Sequence, residues 1–274
     1  FPLYLRELRA VPPPLVIAYR LVLCCVFVLL WLWRRRELPL VMRALQAKHT
    51  RSRLLASAIL ISVNWLLYVW AVANGRLLEA SLGYFINPLL NVLLGVAFLQ
   101  ERLRRLQWGA VLLAALGVGF MTWRTGAVPV IAALLALSFG LYGFIRKTIA
   151  VEAMAGLGAE TALLTPLGAA YLVYVELHGQ GVIGVVPGST LGLLMFSGVI
   201  TALPLWLFSF GARRVSYATV GLMGYLSPTL QLLLGVFVFH EVFGVDRLWG
   251  FGLIWAALAL YCADALRLRY ASSR

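Results

Sequence analysis

Apolar residues gather along the chain into long runs that are separated by short polar segments. A helix needs about 20 apolar residues to cross the hydrocarbon core of a bilayer, and the runs are of about that length. Nine of them lie at 14–33, 54–73, 79–99, 107–124, 127–145, 159–178, 190–210, 217–239 and 247–265. The pattern predicts an all-α polytopic membrane protein without a soluble domain. One longer polar interval, RRRELPLVMRALQAKHTRSR at 34–53, predicts a short amphipathic segment on the membrane surface.

Two distant segments of the chain share one sequence. PLLNVLLGV at 88–96 and PTLQLLLGV at 228–236 are identical at six of nine positions. A weaker similarity relates FPLY at 1–4 to FGLY at 139–142, which predicts that most of a first helix is missing here. We therefore expect a ten-helix protein built from two five-helix repeats, with domains at 1–124 and 127–274.

The basic residues indicate how these repeats cross the membrane. Of the 23 Lys and Arg residues, 17 lie in the segments 34–53, 100–106, 146–158 and 211–216 and in the C-terminal tail, and five lie on the other side. Cytoplasmic loops carry such an excess of positive charge. An odd number of helices per repeat then inverts the second copy, an architecture found in many secondary transporters. We expect a multi-pass protein of the inner membrane with both termini of the full protein in the cytoplasm.

Composition supports this interpretation. Apolar residues make up 62% of the chain and charged residues 12%, which is about half the share usual in soluble domains. The net charge of +13 comes from residues in short loops. It therefore reflects the cytoplasmic bias rather than a nucleic-acid surface. The expected partners are the lipid bilayer and a small organic solute, not nucleic acid.

Polar residues near the middle of the span at 79–99 form the first candidate site. Tyr84, Asn87 and Asn91 share one helical face, and Pro88 removes a backbone hydrogen bond, so we expect a helix break there. The second copy has Ser227, Pro228 and Gln231 at the corresponding positions, with Pro228 as its helix break. These amides either line a solute path or bond neighbouring helices.

A charged residue inside the span at 14–33 forms the second candidate. Arg20 is costly in a membrane and usually faces a protein interior or a partner. It is either a counter-charge for an anionic solute, or it reaches the outer headgroups or pairs with Glu79.

Aromatic and acidic residues complete the candidate solute cavity. Aromatic walls with a few amides suit amphipathic organic solutes, although the same residues also occur in ordinary packing or interfacial belts. The candidates of this kind are Asn64, Trp65, Tyr68, Tyr142 and Tyr225. Glu79, Glu160 and Asp264 lie near the ends of spans, where each could carry a coupling proton or simply be solvated at the interface.

No residue pattern indicates catalysis or a cofactor. His49, His178 and His240 are far apart in the sequence and form no helical metal-binding pair. No combination of serine, cysteine and histidine suggests a nucleophile. We expect neither an enzyme nor a bound metal or cofactor.

One stretch carries a specific resemblance. NWLLYVWAVANGRLLEASLGYFINPLLNVLLGVAFLQERLRRLQW at 64–108 closely resembles RarD-type permeases of the EamA branch of the drug/metabolite transporter superfamily, and the resemblance continues through 139–172. It implies ten helices in two inverted halves, transport of small organic metabolites or drugs, and an association with chloramphenicol. A family arginine corresponds to Arg20, whereas the histidine expected just before it is Tyr19 here.

These observations together predict a secondary transporter that works by alternating access through a central cavity. Asn87, Asn91 and Gln231 would bond the solute, Tyr68, Tyr84 and Trp65 would form its walls, and Arg20 would supply a counter-charge. One alternative is a membrane scaffold or sensor that transports nothing. Another is a membrane-embedded enzyme acting on lipid, which would need an acid–base or nucleophilic group that the sequence does not show.

Overall fold

The chain folds into α-helices joined by short loops. The computed structural model describes residues 4, 7, 8, 11–74, 76–125, 130–237 and 245–272, and no strand occurs within them. The helices are α1 (Pro13–Arg34), α2 (Leu38–Gln46), α3 (Lys48–Ala73), α4 (Leu77–Leu99), α5 (Arg105–Thr125), α6 (Val130–Thr148), α7 (Ala153–Leu177), α8 (Gly188–Ala212), α9 (Tyr217–Met223), α10 (Leu226–Phe237) and α11 (Val245–Ser272). Each of the nine predicted spans is helical over most of its length. The predicted surface segment at 34–53 contains α2 and the first turns of α3.

Six described helices are long and apolar enough to cross a membrane. They are Pro13–Arg34, Lys48–Ala71, Leu82–Leu99, Arg105–Arg124, Val130–Thr148 and Gly188–Ala212. Large apolar side chains stay exposed along them, including Leu112 at 62% and Trp123 at 76%. Such surfaces are unfavourable in water and favourable in lipid. The all-α polytopic membrane fold predicted from the sequence is confirmed.

The helix boundaries repeat along the chain with the same spacing as the two similar sequence segments. α1, α3, α4 and α5 begin at residues 13, 48, 77 and 105, whereas α7, α8, α9 and α11 begin at residues 153, 188, 217 and 245. Each starting point is as far from its counterpart as Pro88 is from Pro228. This agreement supports the internal repeat, while the opposite orientation of the two copies in the membrane stays a prediction.

The chain divides into two compact units, each assembled from two separate stretches. Unit 1 contains Phe1–Ala73 and Leu141–Arg214, and unit 2 contains Asn74–Gly140 and Val215–Arg274. The two stretches of a unit occupy equivalent positions in the two sequence repeats. Each unit therefore combines matching parts of both repeats. The spatial units are therefore different from the sequence repeats predicted at 1–124 and 127–274.

Unit 1 is organised around α1, which packs against both α7 and α8. Glycines permit these close approaches. A Cβ atom at Gly198 of α8 would overlap the backbone carbonyl of Leu23 in α1, and one at Gly168 of α7 would lie 3.2 Å from the Leu21 side chain. Small residues at helix crossings are typical of membrane proteins, because dispersion contacts replace the hydrophobic effect as the main attraction.

Unit 2 contains two tight helix pairs. α5 packs along α11, where a Cβ atom at Gly117 would lie 2.9 Å from the carbonyl oxygen of Gly250. α4 packs against α9, and Phe85 of α4 meets Phe251 of α11 edge to face at 5.1 Å between ring centroids. These contacts form one core cluster that fixes the position of the candidate amides on α4.

The spans that carry Pro88 and Pro228 differ from each other. The span predicted at 217–239 is interrupted at residues 224–225, between α9 and α10. Because Pro228 has no N–H, the carbonyl of Gly224 instead accepts a hydrogen bond of 3.2 Å from Ser227 N. In contrast, α4 continues through Pro88, so the helix break predicted there is wrong. A single missing hydrogen bond is tolerated when neighbouring helices pack around the proline.

Candidate functional site

The predicted site residues are divided between the two units, and each unit is considered by itself. Unit 1 holds Arg20, Asn64, Trp65, Tyr68, Tyr142 and Glu160. Unit 2 holds Glu79, Tyr84, Asn87, Asn91, Tyr225 and Gln231. The side chains of Glu79 and Gln231 lie outside the described residues.

Arg20 is buried between three helices of unit 1. Its side chain is 4% exposed, its Nε donates a 3.0 Å hydrogen bond to Thr201 Oγ1 on α8, and its guanidinium carbon lies 4.4 Å above the centroid of the Trp65 ring on α3. This burial among protein side chains argues against the alternative in which Arg20 reaches the headgroups. A cation held by a hydroxyl and a ring face can recognise an anionic or electron-rich group.

One of the three predicted residues of α3 contacts this arginine, and the other two are buried near it in the sequence. Trp65 touches Arg20, and Asn64 and Tyr68 are each 8% exposed within the same two helical turns. A buried amide and phenol each bring polar atoms into an apolar environment, where they need hydrogen-bond partners. Arg20, Trp65 and Thr201 therefore form one arginine cluster, and Asn64 and Tyr68 lie near Trp65 along α3.

Unit 1 contains a second charged cluster, of which Glu160 is a predicted candidate and Arg146 is not. Arg146 on α6 and Glu160 on α7 are 1% and 2% exposed, with 3.5 Å between Arg146 Nε and Glu160 Oε1. Ser57 Oγ of α3 donates a 2.5 Å hydrogen bond to the same carboxylate oxygen. Glu160 is therefore buried and paired, not solvated at the interface. We call Arg146, Glu160 and Ser57 the carboxylate cluster.

Arg146 was assigned to a cytoplasmic loop because the apolar run at 127–145 ends just before it. Instead, α6 continues to Thr148 and buries this arginine. Its Nε also donates to Ser209 Oγ at 3.2 Å, and its Nη2 donates to the Ala153 carbonyl at 2.7 Å. The sequence did contain one signal, because a glutamate inside a membrane span needs a partner and Arg146 is close upstream of Glu160.

Tyr142 lies on the same helix as Arg146 and is fully buried. Its ring stacks on Phe208 of α8, with 6.2 Å between centroids and 21° between planes. It interacts electrostatically with both Arg146 and Glu160. The structure therefore groups Tyr142 with the carboxylate cluster.

The two side-chain amides of α4 form hydrogen bonds within unit 2. Asn87 Nδ2 donates a 3.0 Å hydrogen bond to the carbonyl of Ala136 on α6, and Asn91 Nδ2 donates a 3.1 Å bond to Asn87 Oδ1. Asn91 is 2% exposed and packs against Gly140, where an added Cβ atom would lie 3.3 Å from Asn91 Oδ1. Of the two interpretations left open for these amides, the observed contacts favour bonding between helices.

The face of α4 that carries Pro88 packs directly on α9. A Cβ atom at Gly221 would lie 2.5 Å from the Pro88 carbonyl oxygen and 3.1 Å from Asn91 Cβ, and one at Gly224 would lie 3.3 Å from the Pro88 ring. α4 and α9 therefore touch at this crossing, and no solute fits between them there. Tyr84, four residues before Pro88, is partly buried.

Two further side chains of unit 2, those of Tyr225 and Asp264, are buried. Tyr225 is fully buried, and its hydroxyl has no hydrogen-bond partner among the described residues. Asp264 is 7% exposed and accepts a 2.9 Å hydrogen bond from Arg104 Nε, so the expected solvation of Asp264 at the interface is wrong.

Glu101, which follows the span that carries Pro88, caps the first helix of the span that carries Pro228. Its carboxylate accepts hydrogen bonds from the backbone N–H of Tyr217 at 2.6 Å and of Ala218 at 3.0 Å, at the start of α9. Gly95 leaves room for this carboxylate, because a Cβ atom there would lie 2.7 Å from Glu101 Oε2. A carboxylate at a helix N-terminus is favourable because it satisfies unpaired N–H groups and interacts with the helix dipole.

Comparison with known proteins gives a consistent set of relatives. The model of the EamA-like transporter family matches residues 1–123. The chain is 42% identical to the uncharacterized transporter YojE of Bacillus subtilis (strain 168), over 99% of this chain and 92% of that protein. It is 40% identical to protein RarD of Escherichia coli (strain K12), over 100% and 92%.

Two more comparisons concern function and fold. The chain is 32% identical to the chloramphenicol-sensitive protein RarD of Pseudomonas aeruginosa, over 97% of this chain and 90% of that protein. A crystal structure of a protein at 21% identity superposes with a TM-score of 0.70, over 97% of this chain and 92% of that one. The latter likeness supports the fold alone.

Proposed function

Because the chain belongs to the RarD-type branch of the EamA-like transporter family and is an integral membrane transporter, we propose that it moves small organic solutes by alternating access. The repeat supports this mechanism, since transporters built from inverted copies bind the solute near the midplane and expose it to each side in turn. We further propose the inner membrane as its location, with both termini of the full protein in the cytoplasm.

The arginine cluster of unit 1 is the proposed recognition site. The observation that carries this proposal is the burial of the Arg20 guanidinium against Thr201 and the Trp65 ring. A buried charge within a membrane span is costly and is typically kept for a function. The cluster suits a solute that combines an anionic or electron-rich oxygen group with a flat apolar body, and Asn64 and Tyr68 would add hydrogen bonds.

Asn87 and Asn91 have a positioning role in this proposal. Their donors bond α6 and each other, so they hold α4 in place instead of contacting the solute. The remaining predicted cavity residues of unit 2 stay predictions: Tyr84, Tyr225 and Gln231.

Chloramphenicol is the probe for the test, because the Pseudomonas aeruginosa relative is named a chloramphenicol-sensitive protein. The full chain is reconstituted into liposomes, and entry of labelled chloramphenicol is compared with entry into protein-free liposomes. Arg20→Gln should reduce the protein-dependent initial rate about ten- to a hundredfold, which corresponds to the loss of one charge-assisted hydrogen bond worth about 1.5–3 kcal/mol. Arg20→Lys should recover part of the rate, because it keeps the charge but loses the planar face.

The matched control is Arg36→Gln, which removes an exposed arginine from the loop after α1. It should transport at the wild-type rate. A wild-type rate for Arg20→Gln would overturn the site assignment, provided that thermal unfolding shows both variants to be folded. Alternating access has its own test: unlabelled chloramphenicol inside the liposomes should accelerate entry of the labelled compound. An unchanged entry rate would indicate a channel.

A further inference from the structure

We propose that Glu160 in the carboxylate cluster is a proton-binding site, and that its protonation couples proton movement to transport. The two parts of the proposal are separable. Protonation of Glu160 stands on the geometry of unit 1 alone, whereas the coupling rests on the proposed transport function.

The two oxygens of the Glu160 carboxylate are held unequally. Oε1 lies 3.5 Å from Arg146 Nε and accepts the 2.5 Å hydrogen bond from Ser57 Oγ. Oε2 is fully buried and has no hydrogen-bond partner among the described residues. A buried carboxylate oxygen without a donor is costly as an anion, but it becomes a hydroxyl group when it binds a proton. Oε2 is therefore the atom where a proton binds.

Arg146 is arranged so that it remains bonded whether or not Glu160 carries a charge. Its Nε and Nη2 donate to Ser209 and to the Ala153 carbonyl, while its Nη1 has no hydrogen-bond partner in the part of the chain that the structure describes. In the charged state the ion pair compensates both side chains. When Glu160 is neutral, the bonds to Ser209 and Ala153 still hold the guanidinium. The cluster can thus gain or lose a proton without leaving the arginine unsupported.

The described surroundings of Glu160 supply no second acid of comparable strength. Arg146 and Tyr142 face it from α6, and Cys24 faces it from α1. The neighbouring helices α3 and α8 contribute hydroxyl groups, Ser57 to the carboxylate and Ser209 to Arg146. α2 contributes the apolar Val41, which approaches Gly158 near the start of α7.

The proposed step transfers one proton. A hydronium ion on one side of the membrane gives its proton to Glu160 Oε2: one O–H bond of the hydronium ion breaks and leaves water, and the new O–H bond forms with an electron pair of the carboxylate. The site becomes neutral, and the electrostatic attraction between Glu160 and Arg146 is lost. Release of the proton to water on the other side restores the ion pair. Coupling arises because the conformations before and after this step differ in the strength of the Arg146–Glu160 interaction.

The first experiment tests protonation without any solute. Infrared difference spectra of the purified full chain are recorded during a pH titration. The wild type should show one carbonyl band of a protonated carboxylic acid that Glu160→Gln lacks, while the bands of the other nine acidic residues appear in both. Glu176→Gln, which removes another carboxylate from α7, should retain the band that Glu160→Gln lacks. Ser57→Ala should shift the pH midpoint of the band, because it removes the donor to Oε1. A Glu160→Gln spectrum that lacks no wild-type band, or a Glu160 band unmoved by Ser57→Ala, would overturn the proposal.

The second experiment tests coupling in liposomes that contain a pH-sensitive dye. Addition of chloramphenicol should move protons in the wild type and in Glu176→Gln. Glu160→Gln should move no protons when chloramphenicol is added. Chloramphenicol flux without proton movement in the wild type would refute the coupling alone. Absence of any chloramphenicol flux would instead count against the proposed solute transport, and the infrared result would stand by itself.

Discussion

Arg20 on α1 and Glu160 on α7 occupy equivalent positions in the two repeats and carry opposite charges. Both are buried in unit 1. Arg20 donates a hydrogen bond to Thr201 on α8, and Glu160 accepts one from Ser57 on α3. The helices α3 and α8 are themselves equivalent in the two repeats. A similar contact thus occurs in both copies, with a cation in one and an anion in the other. This difference agrees with a solute role for one and a proton role for the other.

The crossing of α4 and α9 should not accept a larger residue at Gly221. In Gly221→Ala the new methyl group would meet the Pro88 carbonyl and Asn91 Cβ, and overpacking of this kind costs about 1–3 kcal/mol. The midpoint of thermal unfolding in detergent should fall. Gly211→Ala is the control, because an added Cβ atom there meets nothing within 4 Å. Equal midpoints in the two variants would contradict the packing.

The role of Asn87 can be separated from that of Asn64. Asn87→Leu removes the hydrogen bond to Ala136 and should destabilise the protein by about 0.6 kcal/mol, the average for interhelical bonds in membranes, and by no more than about 1.7 kcal/mol. Chloramphenicol flux per folded molecule should hardly change. Asn64→Leu should instead reduce this flux per folded molecule several-fold. The reverse result would indicate that the solute binds at α4.

Glu101 should protect the first turn of α9 from hydrogen exchange. Glu101→Ala removes the acceptor for the N–H groups of Tyr217 and Ala218 and should cost about 1 kcal/mol, as loss of a helix cap usually does. Exchange measured by mass spectrometry should accelerate at these two amides. Ser216→Ala, which removes the bond to Thr219 N, should accelerate Thr219 instead. An unchanged exchange rate at Tyr217 in Glu101→Ala would show that the carboxylate does not cap the helix in solution.

The stability of unit 2 should depend on the ion pair between Arg104 and the buried carboxylate of Asp264. Arg104→Ala leaves a buried carboxylate without its guanidinium partner, so the thermal midpoint should fall by more than in Arg102→Ala, which removes an exposed neighbour. Adding Asp264→Asn to Arg104→Ala should recover part of the loss, because the charge is then gone. No recovery would mean that the arginine acts through packing of its stem.

The positions of the helices could be predicted well from the sequence. A membrane span must be apolar over its full length, and this requirement makes runs such as 14–33 and 190–210 visible without any knowledge of packing. The ends were less certain. α3 begins at Lys48, six residues before the predicted span, because a helix can continue beyond the hydrocarbon region with polar residues.

The site was predicted less well, because its geometry depends on which residues face each other. The spacing of Asn87 and Asn91 shows that they share a face, but it does not show that α6 covers that face. Arg146 was missed because a basic residue at the end of an apolar run resembles a cytoplasmic flank. Its burial follows from contacts with Glu160 and Ser209, which lie on two other helices. Similarly, the prolines at 88 and 228 have different effects on their helices.

That last difference has a thermodynamic consequence for a carrier of the proposed kind. If both repeats were the same, exchanging their conformations would turn the inward-open state into the outward-open state at no change in free energy. Here the helix is continuous through Pro88 but interrupted before Pro228, and the residues beside the two prolines differ, with Asn87 and Asn91 in one copy and Ser227 and Gln231 in the other. Exchanging the two conformations therefore changes the free energy. The two resting orientations are then unequal in free energy, and without a gradient the empty protein should populate one of them in excess.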